Sequence, residues 1–194
     1  REVGVADLPL EIEQNGTFSA GVQVAERFRR DSAFLVGDAA HRVTPRGGTG
    51  MNTAIHDGHD LGWKLAWVLR GWAGDELLDS YEAERRPVAE HNAARSADPD
   101  GSARPVLDEL RVDLGGRLPH VWVEPGVSTL DVLGPGLTVF TGLGPAPSPT
   151  GPAPFTVRRL DELTARALGI HRGAALVVRP DGTPTETSRL SAAA

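Results

Sequence analysis

The spacing of hydrophobic residues changes several times along the chain, and each change predicts an element. Ala33, Phe34, Leu35 and Val36 form an unbroken apolar run, which predicts a buried strand. From Met51 to Trp72 the residues Met51, Ala54, Ile55, Leu61, Leu65, Val68, Leu69 and Trp72 recur at i, i+3, i+4 and i+7, the pattern of a long amphipathic helix. Gly58 and Gly62 fall on its apolar face, where their small size would admit another backbone or a ring, each costing about 1 kcal/mol of helix propensity. Gly71 and Gly74 punctuate its end. A second helix is predicted over 76–96 from Leu77, Leu78, Tyr81 and Val88, with Glu82 and Arg86 at ion-pair spacing and Pro87 kinking or dividing it. Upstream, 10–13 and 21–25 read as short strands around the turn-prone Asn15-Gly16, which suggests a hairpin.

Periodicity stops at Asp98-Pro99-Asp100-Gly101, so a boundary is expected there. A second unit follows, with a short capping-box helix at Ser128-Thr129-Leu130-Asp131, a strand over 137–141, a helix over 159–168 and a strand over 174–179. The Pro/Gly-rich stretch 144–154 reads as a loop, and the polar, alanine-terminated tail 183–194 leaves a last strand open.

Length and composition narrow the classes. A chain of 194 residues with 40% hydrophobic content forms one large or two small globular domains with a real core. Its 20 basic and 26 acidic side chains are interspersed and sum to −6, which offers no surface for nucleic acid or anionic lipid. With no cysteine, disulfides, thiolate metal sites and thiol redox chemistry are excluded. No apolar run approaches the roughly 18 residues of a membrane span, and no signal-like segment opens the sequence, so a cytoplasmic location is the default expectation.

The candidate chemistry lies between Phe34 and Leu65. Gly37 lets the backbone turn where a Cβ would obstruct a ligand, and it places Asp38 at the carboxyl end of the strand, the edge at which α/β sheets bind nucleotide-type ligands. Asp38 either accepts hydrogen bonds from sugar or polyol hydroxyls or only caps the turn. The loop Pro45-Arg46-Gly47-Gly48-Thr49-Gly50 then enters a helix whose first amides lack intrahelical partners and favour negative charge. Arg46 could meet an acidic group or remain solvated or ion-paired. His56 and His59 lie at i, i+3, but nothing supplies a convincing third ligand, so no metal is assigned. His41 could act as a general base or serve a structural hydrogen bond, and Trp63 and Trp67 read as core or interface residues.

Gly37-Asp38-Ala39-Ala40-His41, then Pro45, Gly47, Gly48, Gly50, Met51 and Asn52, and on through Asp57, Leu61, Trp63, Lys64 and Leu65, resemble in one register the FAD-dependent aromatic-ring hydroxylases, class A flavoprotein monooxygenases of the para-hydroxybenzoate and phenol hydroxylase type. The resemblance implies an α/β (α+β) fold: the C-terminal part of a Rossmann-like FAD-binding domain, followed by a small thioredoxin-like domain in which Gly116-Arg117-Leu118-Pro119-His120 has a counterpart. In that scheme 1–30 end the substrate-binding sheet, 31–98 form part of the FAD domain, and 99–194 are a linker and the thioredoxin-like unit.

For the site, the resemblance implies FAD held by Gly37, Asp38, Pro45, Gly47, Gly48, Gly50, Met51 and Asn52. Asp38 would accept from a ribityl hydroxyl, and the amides near Gly50, Met51 and Asn52 would face the flavin N1 and C2 carbonyl region, where reduction places negative charge. Pro45 stands where the family has a catalytic-site proline whose carbonyl faces the oxygen chemistry, and it also rigidifies the loop. Thr44 replaces a second proline usual in the family, a change expected to loosen the loop. The implied reaction uses NAD(P)H and O2 to hydroxylate a small aromatic substrate, phenolic or polyketide-like, through a C4a-hydroperoxyflavin. Another FAD-dependent oxidoreductase of the same fold, or a non-catalytic fragment or oligomerisation module such as a homodimer interface, is the alternative. The family's early G-x-G-x-x-G does not occur here, so a missing N-terminal segment of the same protein is expected to complete the FAD site, and the isolated chain is expected to be inactive.

Overall fold

The computed structural model describes residue 11, residues 16–17, 19–143 and 148–185. All but residue 11 of the expected strand over 10–13, Asn15 of its hairpin turn and the tail beyond 185 lie outside the described residues.

Short antiparallel pairs open the fold. β1 (Gln23–Val24) is followed by β2 (Arg29–Arg30) and β3 (Ala33–Phe34), which pair with each other around Asp31. Asp31 is the one described non-glycine residue with positive φ, at 51°. A 3-10 turn over Gly37–Ala39 leads to β4 (His41–Arg42), which pairs with β1. The apolar run is therefore not a buried strand: it pairs for two residues, Leu35 is exposed and Phe34 and Val36 are half-buried. Among the described residues β2 is its sole strand partner. Likewise the expected strand over 21–25 shrinks to β1 and pairs with β4 rather than across Asn15-Gly16.

The glycine-rich loop enters α1 (Gly50–Leu69), and a 3-10 turn at Asp75–Leu78 runs into α2 (Asp79–Ala97). Pro87 lies inside α2 without dividing it. Glu82 and Arg86 pair at 3.5 Å, and Glu82 also accepts the Phe28 amide at 2.8 Å, which ties α2 to the strand layer. Phe28, Ala40, Leu61, Tyr81 and Ala89 form the core of this half, with Val24, Phe34, Val36 and Leu65 packed against it.

The orientation of α1 overturns its hydrophobic pattern. Met51, Ile55 and Leu69 are 73%, 59% and 84% exposed. Gly58 and Gly62 lie on the same open stripe, and nothing lies within 4 Å of a Cβ built on either. The buried face instead carries Thr53, Asp57, Asp60, Lys64 and Trp67, with Leu61 and Trp63 at its margins. Burial of three charged residues on one helix face is tolerable because each meets an opposite charge, as described below.

Beyond α2 the Pro/Gly cluster is folded rather than extended. A 3-10 turn spans Gly101–Ala103, Arg95 donates from Nε to the Gly101 carbonyl at 3.0 Å, and the unanticipated α3 (Val106–Leu114) follows. β5 (Trp122–Glu124) and β6 (Val127–Ser128) make a hairpin. The Ser128-Asp131 capping bonds form, with the Ser128 amide and Oγ both donating to Asp131 at 2.7 Å, but they close a turn instead of starting a helix.

β7 (Leu137–Thr141) is the centre of a three-stranded sheet, parallel to β8 (Phe155–Arg159) and antiparallel to β9 (Ala175–Val178). α4 (Glu162–Ala167) lies between β8 and β9 in sequence. It starts later than expected because Arg159 closes β8 and Asp161 caps the helix, accepting from the Leu163 and Thr164 amides at 2.9 Å each. One sheet face packs Phe140 and Val178 onto Leu160, Ala165 and Ile170, and the other buries Val139, Ala175 and Val177. The whole is a mixed α/β structure.

Candidate active site

The Gly-Asp turn sits against the first turns of α1. Gly37 has φ +58°, and a Cβ there would lie 3.0 Å from the Ala54 Cβ. A side chain there would both strain the left-handed backbone and press on α1. Asp38 stands exposed, and its carboxylate makes no hydrogen bond among the described residues; the turn has no side-chain cap.

The turn is held from behind by Asp57, which is fully buried. Its Oδ2 accepts from the Gly37 amide at 3.3 Å and lies 2.6 Å from His41 Nε2, while Oδ1 accepts from Arg85 Nε at 2.8 Å. Burial alone would raise the Asp57 carboxyl, but the hydrogen bonds from His41 and Arg85, with the arginine's charge, hold it below its ordinary value. His41 is thereby a buried structural partner. Arg85 continues through both Nη atoms to Asp113 on α3 at 3.0 Å, and Asp113 pairs with His56 at 3.1 Å.

Past β4 the loop is pinned to the far end of α2. Thr44 donates from its hydroxyl to the Ser96 carbonyl at 2.8 Å and from its amide to Ser96 Oγ at 3.2 Å, so it fastens the loop rather than loosening it. Arg46 is exposed and donates through one Nη to the Asp98 carbonyl at 3.0 Å. The Pro45 carbonyl accepts the Gly48 amide at 3.1 Å, closing a turn in which Gly47 and Gly48 take φ +83° and +63°. A Cβ on Gly47 would lie 3.3 Å from the Arg95 guanidinium carbon, whereas the space beside Gly48 is open. Gly50 packs on Val43, and a Cβ there would stand 3.0 Å from Val43 Cγ2.

At the start of α1 there is no side-chain cap and no acidic residue in the first turn. The first loop-to-helix bond is from the Thr53 amide to the Thr49 carbonyl at 3.0 Å, and the amides of Gly50, Met51 and Asn52 find no acceptor among the described residues. Met51 and Asn52 are both exposed. A carboxylate with no protein partner, a glycine backbone with open space beside it and unsatisfied helix-start amides suit a flat ligand bearing hydroxyls on one part and developing negative charge on another. FAD carries both, so the residues fit it.

Behind this surface lies a second ionic cluster that the sequence did not reveal. Lys64 Nζ, fully buried, donates to Asp60 at 2.7 Å and lies 3.2 Å from Glu84. Arg179, just past β9, makes two bonds to Glu84 at 2.9 and 2.7 Å and two to Asp181 at 2.6 and 3.3 Å, and its guanidinium lies 5.2 Å over the Trp63 ring. Burial raises Asp60 despite Lys64 beside it; for Glu84 and Asp181 burial is outweighed by Arg179 and the net shift is downward. The oxygens of Asp60, Glu84 and Asp181 come within 4.8 Å of one another, but Lys64 and Arg179 answer their charge. His59 is exposed and takes no part in these bonds. Only the i, i+4 spacing of Asp60 and Lys64 hints at this cluster in the sequence.

Residues 1–96 match the family model described as FAD binding domain. Relatives of the chain include hydroxylases and monooxygenases, one of them an FAD-dependent monooxygenase of Emericella nidulans. Tetracenomycin B2 monooxygenase-dioxygenase of Streptomyces olivaceus is 30% identical over 93% of this chain and 43% of its own length. The 4-methyl-5-nitrocatechol 5-monooxygenase of a Burkholderia species is 52% identical over 44% of this chain and 16% of its own. Among solved structures, aklavinone-11 hydroxylase with FAD and aklavinone superposes with a TM-score of 0.69 at 29% identity, covering 89% of this chain and 42% of that one. The chain spans less than half the length of the curated relatives it matches, from 15% to 43%. Among the described residues no helix is long and apolar enough to cross a membrane.

Proposed function

We propose that this chain is the flavin-ring part of an FAD-dependent monooxygenase that hydroxylates a small aromatic substrate, phenolic or polyketide-like, with NAD(P)H and O2. Residues 1–30 end its substrate-binding sheet, 31–98 belong to a Rossmann-like FAD domain, and 99–194 hold a linker and a thioredoxin-like unit built on the β8-β7-β9 sheet. Bound FAD would supply the redox chemistry and the activation of oxygen.

The protein's own residues have narrower tasks in this reading. Asp38 accepts a hydrogen bond from a ribityl hydroxyl, while Gly47 and Gly48 let the main chain lie flat against the ring system. The amides of Gly50, Met51 and Asn52 favour negative charge at the pyrimidine end through a helix terminus worth roughly half a positive elementary charge. The Pro45 carbonyl belongs to the loop facing the substrate side. One observation carries the reading: Asp38 is exposed with no hydrogen bond among the described residues, and the turn that bears it is held by Asp57 instead. A carboxylate serving only as a turn cap would have accepted from the turn's own amides.

The test is FAD affinity of the full-length protein. Asp38→Ala should weaken FAD binding about 10- to 100-fold, the loss of one hydrogen bond to a charged group. Unchanged affinity, or a full-length protein that purifies colourless and takes up no added FAD, overturns the reading.

A further inference from the structure

Asp57 lies one helical turn beyond Ala54, the residue on which the Gly37 turn rests. Its two oxygens have different employment. Oδ1 takes Arg85 from α2, as an ordinary buried ion pair would. Oδ2 takes the Gly37 amide and His41 Nε2, groups at the two ends of the turn that carries Asp38. The turn's own backbone bonds are few: Ala39 and Ala40 donate to the carbonyls of Val36 and Gly37 at 3.3 and 2.8 Å. Nothing in those bonds fixes the direction in which residue 38 points relative to α1.

We propose that Asp57 is the positioning residue of the flavin-contacting turn: one buried carboxylate oxygen clamps Gly37 and His41 together and so holds Asp38 facing outward. This rests on the reading of Asp38 as a flavin ligand. Asn at 57 preserves the volume but leaves one acceptor oxygen for three donors and turns an amide N–H2 toward one of them. The clamp then opens at the turn or at Arg85, while the apolar core beneath is unchanged.

A binding cycle on the full-length apo-enzyme separates positioning from simple support of the fold. FAD dissociation constants are measured by flavin fluorescence for Asp38→Ala, Asp57→Asn and the double variant. Asp57→Asn should raise the constant about tenfold in the wild-type background but less than about twofold once Asp38 is alanine, because nothing is left to aim. A tenfold loss that persists in the Asp38→Ala background, or a wild-type constant for Asp57→Asn, overturns the proposal. If Asp38→Ala alone leaves the constant unchanged, the flavin role of Asp38 has failed and the positioning role fails with it, an outcome visible in that single variant. Should Asp57→Asn not fold, the same cycle is run with His41→Asn, which removes one of the two turn bonds and leaves the Arg85 pair. A loss of about threefold, absent when Asp38 is alanine, supports the clamp; a loss of equal size in both backgrounds, or none in the wild-type background, overturns it.

Discussion

Lys64→Met is the sharpest probe of the inverted helix α1. The side chain is fully buried, its ammonium donates to Asp60 at 2.7 Å, and Glu84 lies 3.2 Å away. Methionine fills similar space but leaves Asp60 as a buried carboxylate without its cation. Removing one partner of such a pair costs about 3–5 kcal/mol, and since Glu84 keeps Arg179 the lower end applies, about 3 kcal/mol. The loss should depend on pH with a definite sign. Asp60 is already raised by burial against the pull of Lys64, so in the variant its folded value rises further above the unfolded one. A group shifted that way stabilises the fold below its unfolded value and loses that contribution as pH climbs through its folded value, at about 1.4 kcal/mol per unit of difference. The destabilisation should therefore be smaller at pH 5 than at pH 8. Urea unfolding followed by tryptophan fluorescence reads it directly, because Trp63 and Trp67 are buried on the same helix. Adding Asp60→Asn to the variant should return much of the lost stability. A loss below about 1 kcal/mol, or one identical at both pH values, would show that Lys64 and Asp60 are not a desolvated pair and would refute the account.

Gly37 in the Gly-Asp turn and Gly48 in the glycine-rich loop separate packing from backbone strain. Gly37→Ala should lower the melting temperature more than Gly48→Ala: both need a left-handed backbone at about 1–2 kcal/mol, but only position 37 also drives a methyl into Ala54 at 3.0 Å. Equal losses would contradict that contact. Acid should also loosen the fold from the Glu84 and Asp181 side. Both are held below their ordinary values of 4.5 and 3.8, so their contribution is present above those values and drains away as pH falls through the lowered ones. A melting-temperature profile from pH 7 to 3 should decline in that window, and Asp181→Asn should flatten it.

Elements whose information is local were readable from the chain. α1, α2, β7 and β9 repeat their apolar residues at the spacing of their own geometry, and the loop from Gly37 to Asn52 announces itself because turn, carboxylate and helix start are contiguous. β8 left no trace because all five of its residues are exposed at a sheet edge, so no alternation exists to find. α3 was obscured by the Pro/Gly cluster before it, which reads as a linker although Arg95 and Arg104 anchor it to Gly101 and Asp98. The facing of α1 could not be read, since periodicity reports which residues share a face but not which face is covered. Its polar side is buried by partners far away in sequence, Arg85 and Glu84 on α2 and Arg179, which is 95 residues beyond Glu84.

That long-range complement constrains how relatives of this protein can be recombined. An apolar helix face accepts substitutes of similar volume from a homologous chain, because dispersion has no sign. The inner face of α1 has one: Asp57 requires Arg85 and Lys64 meets Glu84, both on α2, Glu84 in turn meets Arg179 past β9, and Asp60 is answered by Lys64 within α1. A chimera with its crossover between α1 and α2 separates Asp57 from Arg85 and Lys64 from Glu84, and one between α2 and Arg179 separates Glu84 from Arg179; unless the donor has the same charges there, each mismatch leaves a charge unanswered. Segment exchange in this fold should therefore succeed when α1, α2 and the 179–181 turn travel together, even though they are far apart in the gene.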